Sequence, residues 1–106
     1  MGKSEYSAEA QYRLAEILFL QNRNNDAEKA AFDVIKKAGS YEFWVTRSYL
    51  LLGDIYFKDK DLFNAEATFK SVSENTTIAE LKSEAVTKLA AVIAEKNKAN
   101  KVANPQ

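Results

Sequence analysis

Residues 49–56 read YLLLGDIY and residues 65–69 read AEATF. In the first stretch large apolar residues recur three or four positions apart around Gly53, which places them along one side of a helix. Ala65 follows Gly53 after twelve positions. Two small residues facing each other let two helices approach closely, and the larger residues beside them fill the grooves on either side. The two stretches therefore predict a pair of packed antiparallel helices.

The same spacing occurs earlier in the chain, and part of it occurs again later. Ala15 is followed by Ala27 after twelve positions, and Ala90 is a third small residue with no partner after it. The small residues Ala15, Gly53 and Ala90 therefore follow one another after 38 and 37 positions (53 − 15 and 90 − 53). Internal repeats of this length indicate stacked helical hairpins.

The fold class predicted from this repeat is all-α, with two antiparallel helix hairpins and a C-terminal capping helix. Asp61 is expected to cap the fourth helix, and Thr77 with Glu80 has the spacing of a capping box for the fifth. The third helix is expected to begin early, at 41–44. The predicted division of the chain is a tag or disordered start at 1–6, a helical repeat domain at 7–99 (repeat 1 at 7–38, repeat 2 at 40–75, a polar capping helix at 77–99) and a flexible tail at 100–106.

The pattern resembles the tetratricopeptide repeat (TPR), a family of α-solenoid proteins. The resemblance assigns a repeat-packing role to Leu14, Ala15, Ala27, Tyr49, Leu52, Gly53, Tyr56, Ala65, Phe69, Leu89 and Ala90. The period is longer than the 34 residues usual in that family, and the proline that normally ends the second helix is absent. Irregular periods of this kind are similar to those of repeat proteins in bacterial envelope assemblies. The resemblance implies a C-terminal fragment of a larger bacterial TPR protein, with a periplasmic or envelope location favoured over a cytoplasmic one.

Composition limits the chemistry open to the chain. It has no cysteine and no histidine, so it lacks thiolate ligands and the commonest general base and metal ligand. Glu16 and Asp54 are carboxylates expected on one groove, but no recognisable nucleophile arrangement accompanies them. We therefore predict a protein that is not an enzyme, with no catalytic residue, no cofactor and no metal.

Charge and hydropathy limit the partners. Fifteen basic residues balance fifteen acidic ones, so no global positive field attracts nucleic acid or anionic lipid. No apolar run approaches the ~20 residues that a membrane span needs. We expect the partner to be another protein or peptide, with no nucleic acid and no direct membrane insertion, and with self-association through exposed repeat faces as a further possibility.

The resemblance also implies where a partner would bind. In the family, the first helices of successive hairpins line a concave groove that receives a peptide or a helix. The lysine and asparagine residues that hold a peptide carboxylate in some members are replaced here, which predicts an aromatic, slightly acidic groove that prefers an apolar or basic segment. Its residues would be Tyr12, Glu16, Phe19, Arg47, Leu50, Leu51, Asp54, Phe57 and Lys88.

Two functions remain open at this point. The first is a non-catalytic scaffold that holds a partner in this groove. The second is a structural segment whose apolar faces serve only stacking within a longer array or a homo-oligomer, because aromatic residues at helical spacing also suit core packing. The third helix is apolar nearly all round, which requires that flanking helices or a partner cover its second face. Burial of Tyr12, Leu50, Leu51 and Phe57 by the chain's own helices would favour the structural role.

Overall fold

Residues 3–103 fold into five α-helices. The computed structural model describes the backbone of residues 3–103 and the side chains of residues 5–100, and this part contains no strand. The predicted all-α class is confirmed. The helices are α1 (Lys3–Leu20), α2 (Asn24–Lys37), α3 (Glu42–Lys58), α4 (Leu62–Asn75) and α5 (Ala79–Ala103).

The outer helices extend beyond their predicted ends. Helix α1 begins at Lys3, so residues 3–6 are not a disordered start, and α5 continues to Ala103, so the tail does not begin at Asn100. Burial of Ala8 gives the first turns of α1 a packing partner, and alanine and lysine, which are good helix formers, extend α5. Residues 1–2 and 104–106, which the sequence assigned to the start and the tail, lie outside the described residues.

Two turns of identical geometry close the two hairpins. Asn22 and Lys60 both adopt the left-handed conformation, with φ of 63° and 65°. In each turn the amide of that residue and the amide of the next residue donate to carbonyls of the preceding helix. The four bonds are Asn22 to Phe19 (3.0 Å), Arg23 to Leu18 (2.9 Å), Lys60 to Phe57 (3.1 Å) and Asp61 to Tyr56 (2.9 Å). This is the Schellman pattern that ends many helices. It recurs after 38 positions, the period predicted from the small residues.

The two predicted caps have different outcomes. Asp61 accepts a hydrogen bond from the amide of Asn64 (3.2 Å) and caps α4 as expected. Thr77 instead donates its hydroxyl to Glu42 at the start of α3 (2.9 Å). The carboxylate of Glu42 is therefore a competing partner for the hydroxyl that the capping box would have used.

Helix α3 is the centre of the fold. Each helix packs against the next one along the chain, and α3 also contacts α1 and α5, so it touches all four other helices. Leu51, Leu52 and Ile55 join the core shared with α1 and α2, while Leu50 joins the core shared with α4 and α5. The nearly continuous apolar character of α3 is therefore explained by flanking helices that cover it on both sides.

Gly53 is the point of closest approach between α3 and α4. A Cβ atom added to Gly53 would overlap the ring of Phe69, with Cδ1 only 2.8 Å away. Phe69 is almost fully buried, as is Ala65 one turn earlier. The absence of a side chain at position 53 allows α4 to lie directly on α3.

Candidate partner-binding groove

Helices α1, α3 and α5 bring five of the nine predicted groove residues into one polar network. Tyr12 and Glu16 come from α1, Arg47 and Asp54 from α3, and Lys88 from α5. Hydrogen bonds and ion pairs join their side chains, and those of Arg47 to Tyr12, Arg47 to Glu84 and Lys88 to Asp54 cross between helices. Glu84 of α5 links the two halves of the network, because it pairs with both Arg47 and Lys88. The sequence predicted that these residues share a groove, and the structure places them together.

Tyr12 lies at the base of this network. Its hydroxyl donates to Glu16 (3.4 Å) and accepts from Arg47 (3.3 Å), and its ring packs against Trp44 with 5.6 Å between centroids. Burial raises the pKa of the Tyr12 phenol above its ordinary value, although the hydrogen bond from Arg47 opposes this shift. The phenol is therefore neutral at physiological pH and acts as a hydrogen-bonding group.

Arg47 connects α1 to α5. It donates to Glu84 at 2.7 Å and forms an ion pair with that carboxylate. Burial works to lower the pKa of Arg47, but the bonds to Tyr12 and Glu84 outweigh it and the pKa is raised. Glu84 was not among the predicted groove residues. The sequence could have indicated Glu84, because it lies four residues before Lys88 on the same helix. The two side chains form an ion pair at 3.2 Å.

Asp54 is neutralised by Lys88. The ammonium group of Lys88 lies 2.7 and 2.8 Å from the two carboxylate oxygens, and both side chains are about 30% exposed. Burial raises the pKa of Asp54 above its ordinary value, and the hydrogen bond and charge of Lys88 counteract part of that rise. Because its charge is already matched, Asp54 contributes little net negative charge to the groove.

Replacing Lys88 by methionine should raise the pKa of Asp54 further, because the group that holds it down is lost. At neutral pH we expect a loss of about 1 kcal/mol in unfolding free energy, between the values for exposed and fully buried pairs. A raised folded-state pKa means that the folded state binds the proton more tightly than the unfolded state does. The loss should therefore shrink as the pH falls through the pKa of Asp54 toward the ordinary carboxyl value of about 4.

Carboxyl ¹³C NMR titration and chemical unfolding across this pH range measure both effects. Lys98→Met is the matched control, since Lys98 is exposed and its nearest carboxylate, Glu95, is 3.9 Å away. An Asp54 pKa that is unchanged in Lys88→Met would contradict the assigned pairing.

Three predicted groove residues are not available to a partner. Tyr12, Leu50 and Leu51 are 2%, 1% and 4% exposed, and the chain's own helices cover them. The prediction that these three side chains line an open groove is wrong. The physical reason is that α3 has neighbours on both sides and that the ring of Tyr12 is enclosed by the α1–α2–α3 core. Phe19 and Phe57 are only partly buried.

An open pocket lies where Phe19 and Phe57 reach the surface. It has a volume of about 550 Å³ and is formed by the C-terminal ends of α1 and α3, the following turn and the second half of α5. Lys58 places its ammonium 5.0 Å from the centre of the Phe19 ring and also bonds to Asn22. The pocket is lined by Phe19, Asp54, Phe57, Lys58, Lys60, Leu62 and Glu95. The sequence had indicated only the first three.

The residues assigned to repeat packing differ in how far the structure buries them. Ala15, Ala27, Leu52, Gly53, Ala65 and Phe69 are buried, and Tyr56 and Leu89 are partly buried. Leu14 is 53% exposed and Ala90 is exposed, so these two do not pack inside the described structure, and Tyr49 is 39% exposed.

The exposure of Leu14 and Ala90 has a common cause. Leu14 is one period before Leu52, which packs against the preceding hairpin, but no helix among the described residues precedes α1. Ala90 is one period after Gly53, which packs against the following helix, but no described helix follows α5. The prediction that α5 is a polar capping helix is wrong for this side of the helix, because Val86 and Ile93 are exposed beside Ala90.

Comparison with protein-family models, with curated proteins and with solved structures finds no match to this chain. The TPR resemblance therefore stays a prediction that rests on the residues quoted above. Within residues 3–103, no helix is long and apolar enough to cross a membrane. The same residues contain no group of three or more acidic side chains that could hold a metal ion.

Proposed function

We propose that this chain is a non-catalytic protein-binding scaffold, an α-solenoid segment of TPR type that receives a peptide or helix of a partner protein between α1, α3 and α5. The observation that carries the proposal is the open pocket, which combines partly buried aromatic rings with charged groups at its rim. Concave apolar sites with a few polar groups are where ligands bind in most proteins.

Support for the solenoid comes from the repetition of both sequence and turn geometry. The small residues and the left-handed turn residues recur with nearly the same period, and α3 contacts both helices of the preceding hairpin as well as α5. Support for the non-catalytic role comes from composition, since the chain offers no histidine and no cysteine.

Charges around the pocket define the chemistry of the partner segment. Phe19, Phe57 and Leu62 form an apolar floor suited to an aromatic or aliphatic anchor. Lys58 and Lys60 stand at the rim with Glu95, while the charge of Asp54 is matched by Lys88. We therefore expect an apolar anchor next to an acidic residue. This replaces the preference for a basic segment that was predicted from the sequence.

The test uses a peptide library selected for binding to the intact chain. Peptides that bind the pocket should carry an apolar anchor beside an acidic residue, and Lys60→Glu should weaken them by about tenfold, equivalent to ~1.4 kcal/mol. Lys29→Glu is the matched control, because Lys29 is exposed on α2, away from the pocket. NMR shifts should map the peptide to Phe19 and Phe57. Selected peptides that bind both variants equally, or no selected peptide at all, would count against the proposal.

A structural stacking role is the second candidate, and a specific observation favours it. Tyr12, Leu50 and Leu51 are buried by the chain's own helices, as a purely structural segment requires. The exposed apolar residues Leu14 and Ile17 on α1 and Val86 and Ile93 on α5 lie on the outer helices of the array. If no peptide binds the pocket while the chain self-associates through these faces, the stacking role is the better account.

A further inference from the structure

A second cavity lies between α1, α3 and α5, at the N-terminal end of α3. We call it the Trp44 cavity, and its volume is about 400 Å³. Its apolar lining consists of Phe43, Trp44 and Leu81, and its charged lining consists of Arg13, Arg47, Glu80 and Glu84. The pocket at Phe19 and Phe57 shares no lining residue with it. The Trp44 cavity is therefore a separate feature at the opposite end of α3.

Phe43 gives this cavity its accessible aromatic surface. Trp44 is 7% exposed and Leu81 is 3% exposed, whereas Phe43 is 39% exposed. The ring of Phe43 meets Trp44 edge-on, with 4.8 Å between the ring centroids, so a buried neighbour supports it. The face of an aromatic ring attracts a cation, and it also covers the apolar stem of a lysine or arginine side chain.

The two arginines of the cavity already have acidic partners. Arg13 lies 3.7 Å from a carboxylate oxygen of Glu9 and 3.2 Å from one of Glu16. Arg47 pairs with Glu84 at 2.7 Å. Neither guanidinium group is therefore left with an unmatched positive charge that would attract an acidic ligand.

Glu80 is the carboxylate without a partner at this cavity. It is exposed on the first turn of α5, and no described side chain forms a hydrogen bond or an ion pair with it. Counting Glu80, four acidic side chains surround two basic ones at this end of the groove. The neighbouring pair of Lys88 and Asp54 adds one charge of each sign and leaves that excess unchanged. Excess negative charge beside an accessible aromatic ring is complementary to a cation.

We infer that the Trp44 cavity binds a basic side chain, an arginine or a lysine, of a partner protein. The apolar stem of that side chain would pack on Phe43, and its cationic end would pair with Glu80. The inference rests on the proposed function in one respect, namely that the basic residue belongs to the segment held between α1, α3 and α5. It adds a second anchoring site to that groove and gives the site a charge preference opposite to that of the pocket.

The distance between the two sites restricts the partner segment. Trp44 and Phe57 are thirteen positions apart on α3 (57 − 44), which corresponds to about 20 Å along the helix. An extended chain covers this distance in about six residues. The segment should therefore carry a basic residue about six positions from its apolar anchor and acidic residue. The opposite charge preferences at the two ends would fix the direction in which the segment lies.

Trp44 supplies a readout that is specific for this cavity, because it is the only tryptophan in the chain. The NMR signal of its indole N–H group should shift saturably when acetyl-arginine methylamide is added to the intact chain. Acetyl-citrulline methylamide has a similar shape but no charge, and it should bind at least about threefold more weakly, the effect of one partly exposed ion pair. Added salt should weaken binding of the arginine derivative and leave that of the citrulline derivative unchanged.

Glu80→Gln should weaken binding of the arginine derivative at least about threefold, because it removes the pairing charge. Glu74→Gln is the matched control, since Glu74 is also exposed but lies on α4, outside the cavity. Both positions are exposed, so both variants should fold like the wild-type chain, as circular dichroism and thermal unfolding would verify.

Three results would overturn the inference. The first is the absence of a saturable shift of the indole signal, and the second is equal binding of the arginine derivative by the Glu80→Gln and Glu74→Gln variants. The third is tighter binding of acetyl-glutamate methylamide than of the arginine derivative, since Arg13 and Arg47 would then define the cavity as a site for an acidic group. None of these results involves the pocket at Phe19 and Phe57, so failure of this inference is distinguishable from failure of the proposed function.

Discussion

Replacing Gly53 by alanine is expected to destabilise the protein, although the same change in most helices stabilises it. In an open helix interior alanine is more favourable than glycine by roughly 0.5–1 kcal/mol. At position 53 the added Cβ would overlap the ring of the buried Phe69, so α3 and α4 have to move apart. Overpacking of this kind costs about 1–3 kcal/mol. Leucine at this position should cost more than alanine.

Chemical unfolding of the variants measures this effect. Gly39→Ala is the matched control, because nothing lies within 4 Å of the Cβ it would add, and its effect should stay within about 0.5 kcal/mol. Phe69→Leu changes the shape of the clashing group, so the two substitutions should be strongly non-additive in a double-mutant cycle. A Gly53→Ala protein as stable as the wild type would refute the close approach of α3 and α4.

The sequence predicted the all-α class and its five segments because those depend on local periodicity. Helix spacing and a scarcity of glycine and proline determine which segments are helical. The ends of α1 and α5 were missed because they depend on tertiary packing, as at Ala8, and on propensities summed over several residues. The Thr77 hydroxyl donates to Glu42, which is 35 positions away in the sequence, and a local sequence pattern does not predict such a contact.

The residues of the groove could be predicted only in part, and the reason is again that tertiary packing is not visible in a local pattern. Periodicity shows which residues share one side of a helix, but it does not show whether another helix covers that side. Arg47, Asp54 and Lys88 lie in one polar network, whereas Leu50 and Leu51 belong to the two cores on either side of α3. The ion pairs that join α3 to α5 connect residues 34 and 37 positions apart, and no local pattern specifies such pairs.

Pocket residues at a turn were the least predictable. Lys60 lies in a stretch of alternating charge at 58–61, a pattern typical of a solvated turn, yet its left-handed backbone belongs to a turn that places it at the pocket. Glu95 belongs to a part of α5 that looked like a polar cap. Both residues reach the pocket through the fold of the chain, and their neighbours in sequence give no indication of it.

Tyr12→Ala is expected to cause the largest loss of stability among the predicted groove residues. Its ring is enclosed by the α1–α2–α3 core and packs against Trp44. Removing a buried aromatic side chain costs about 3–5 kcal/mol, from lost apolar burial and the cavity that remains. The change would also leave Arg47 without one of its hydrogen-bond acceptors. Tyr12→Phe keeps the ring and should cost only about 1 kcal/mol.

Tyr6→Ala is the matched control, because Tyr6 lies on the same helix but is 61% exposed, and its loss should stay within about 0.5 kcal/mol. The comparison, measured by chemical unfolding, separates the two roles that the sequence left open for Tyr12. A residue of a binding surface would lose affinity with little change in stability, whereas a core residue loses stability first. If Tyr12→Ala unfolds no more easily than Tyr6→Ala, the ring is not part of the core and the groove extends along α1 as the sequence predicted. A loss of several kcal/mol would restrict the receiving surface to the pocket at Phe19 and Phe57.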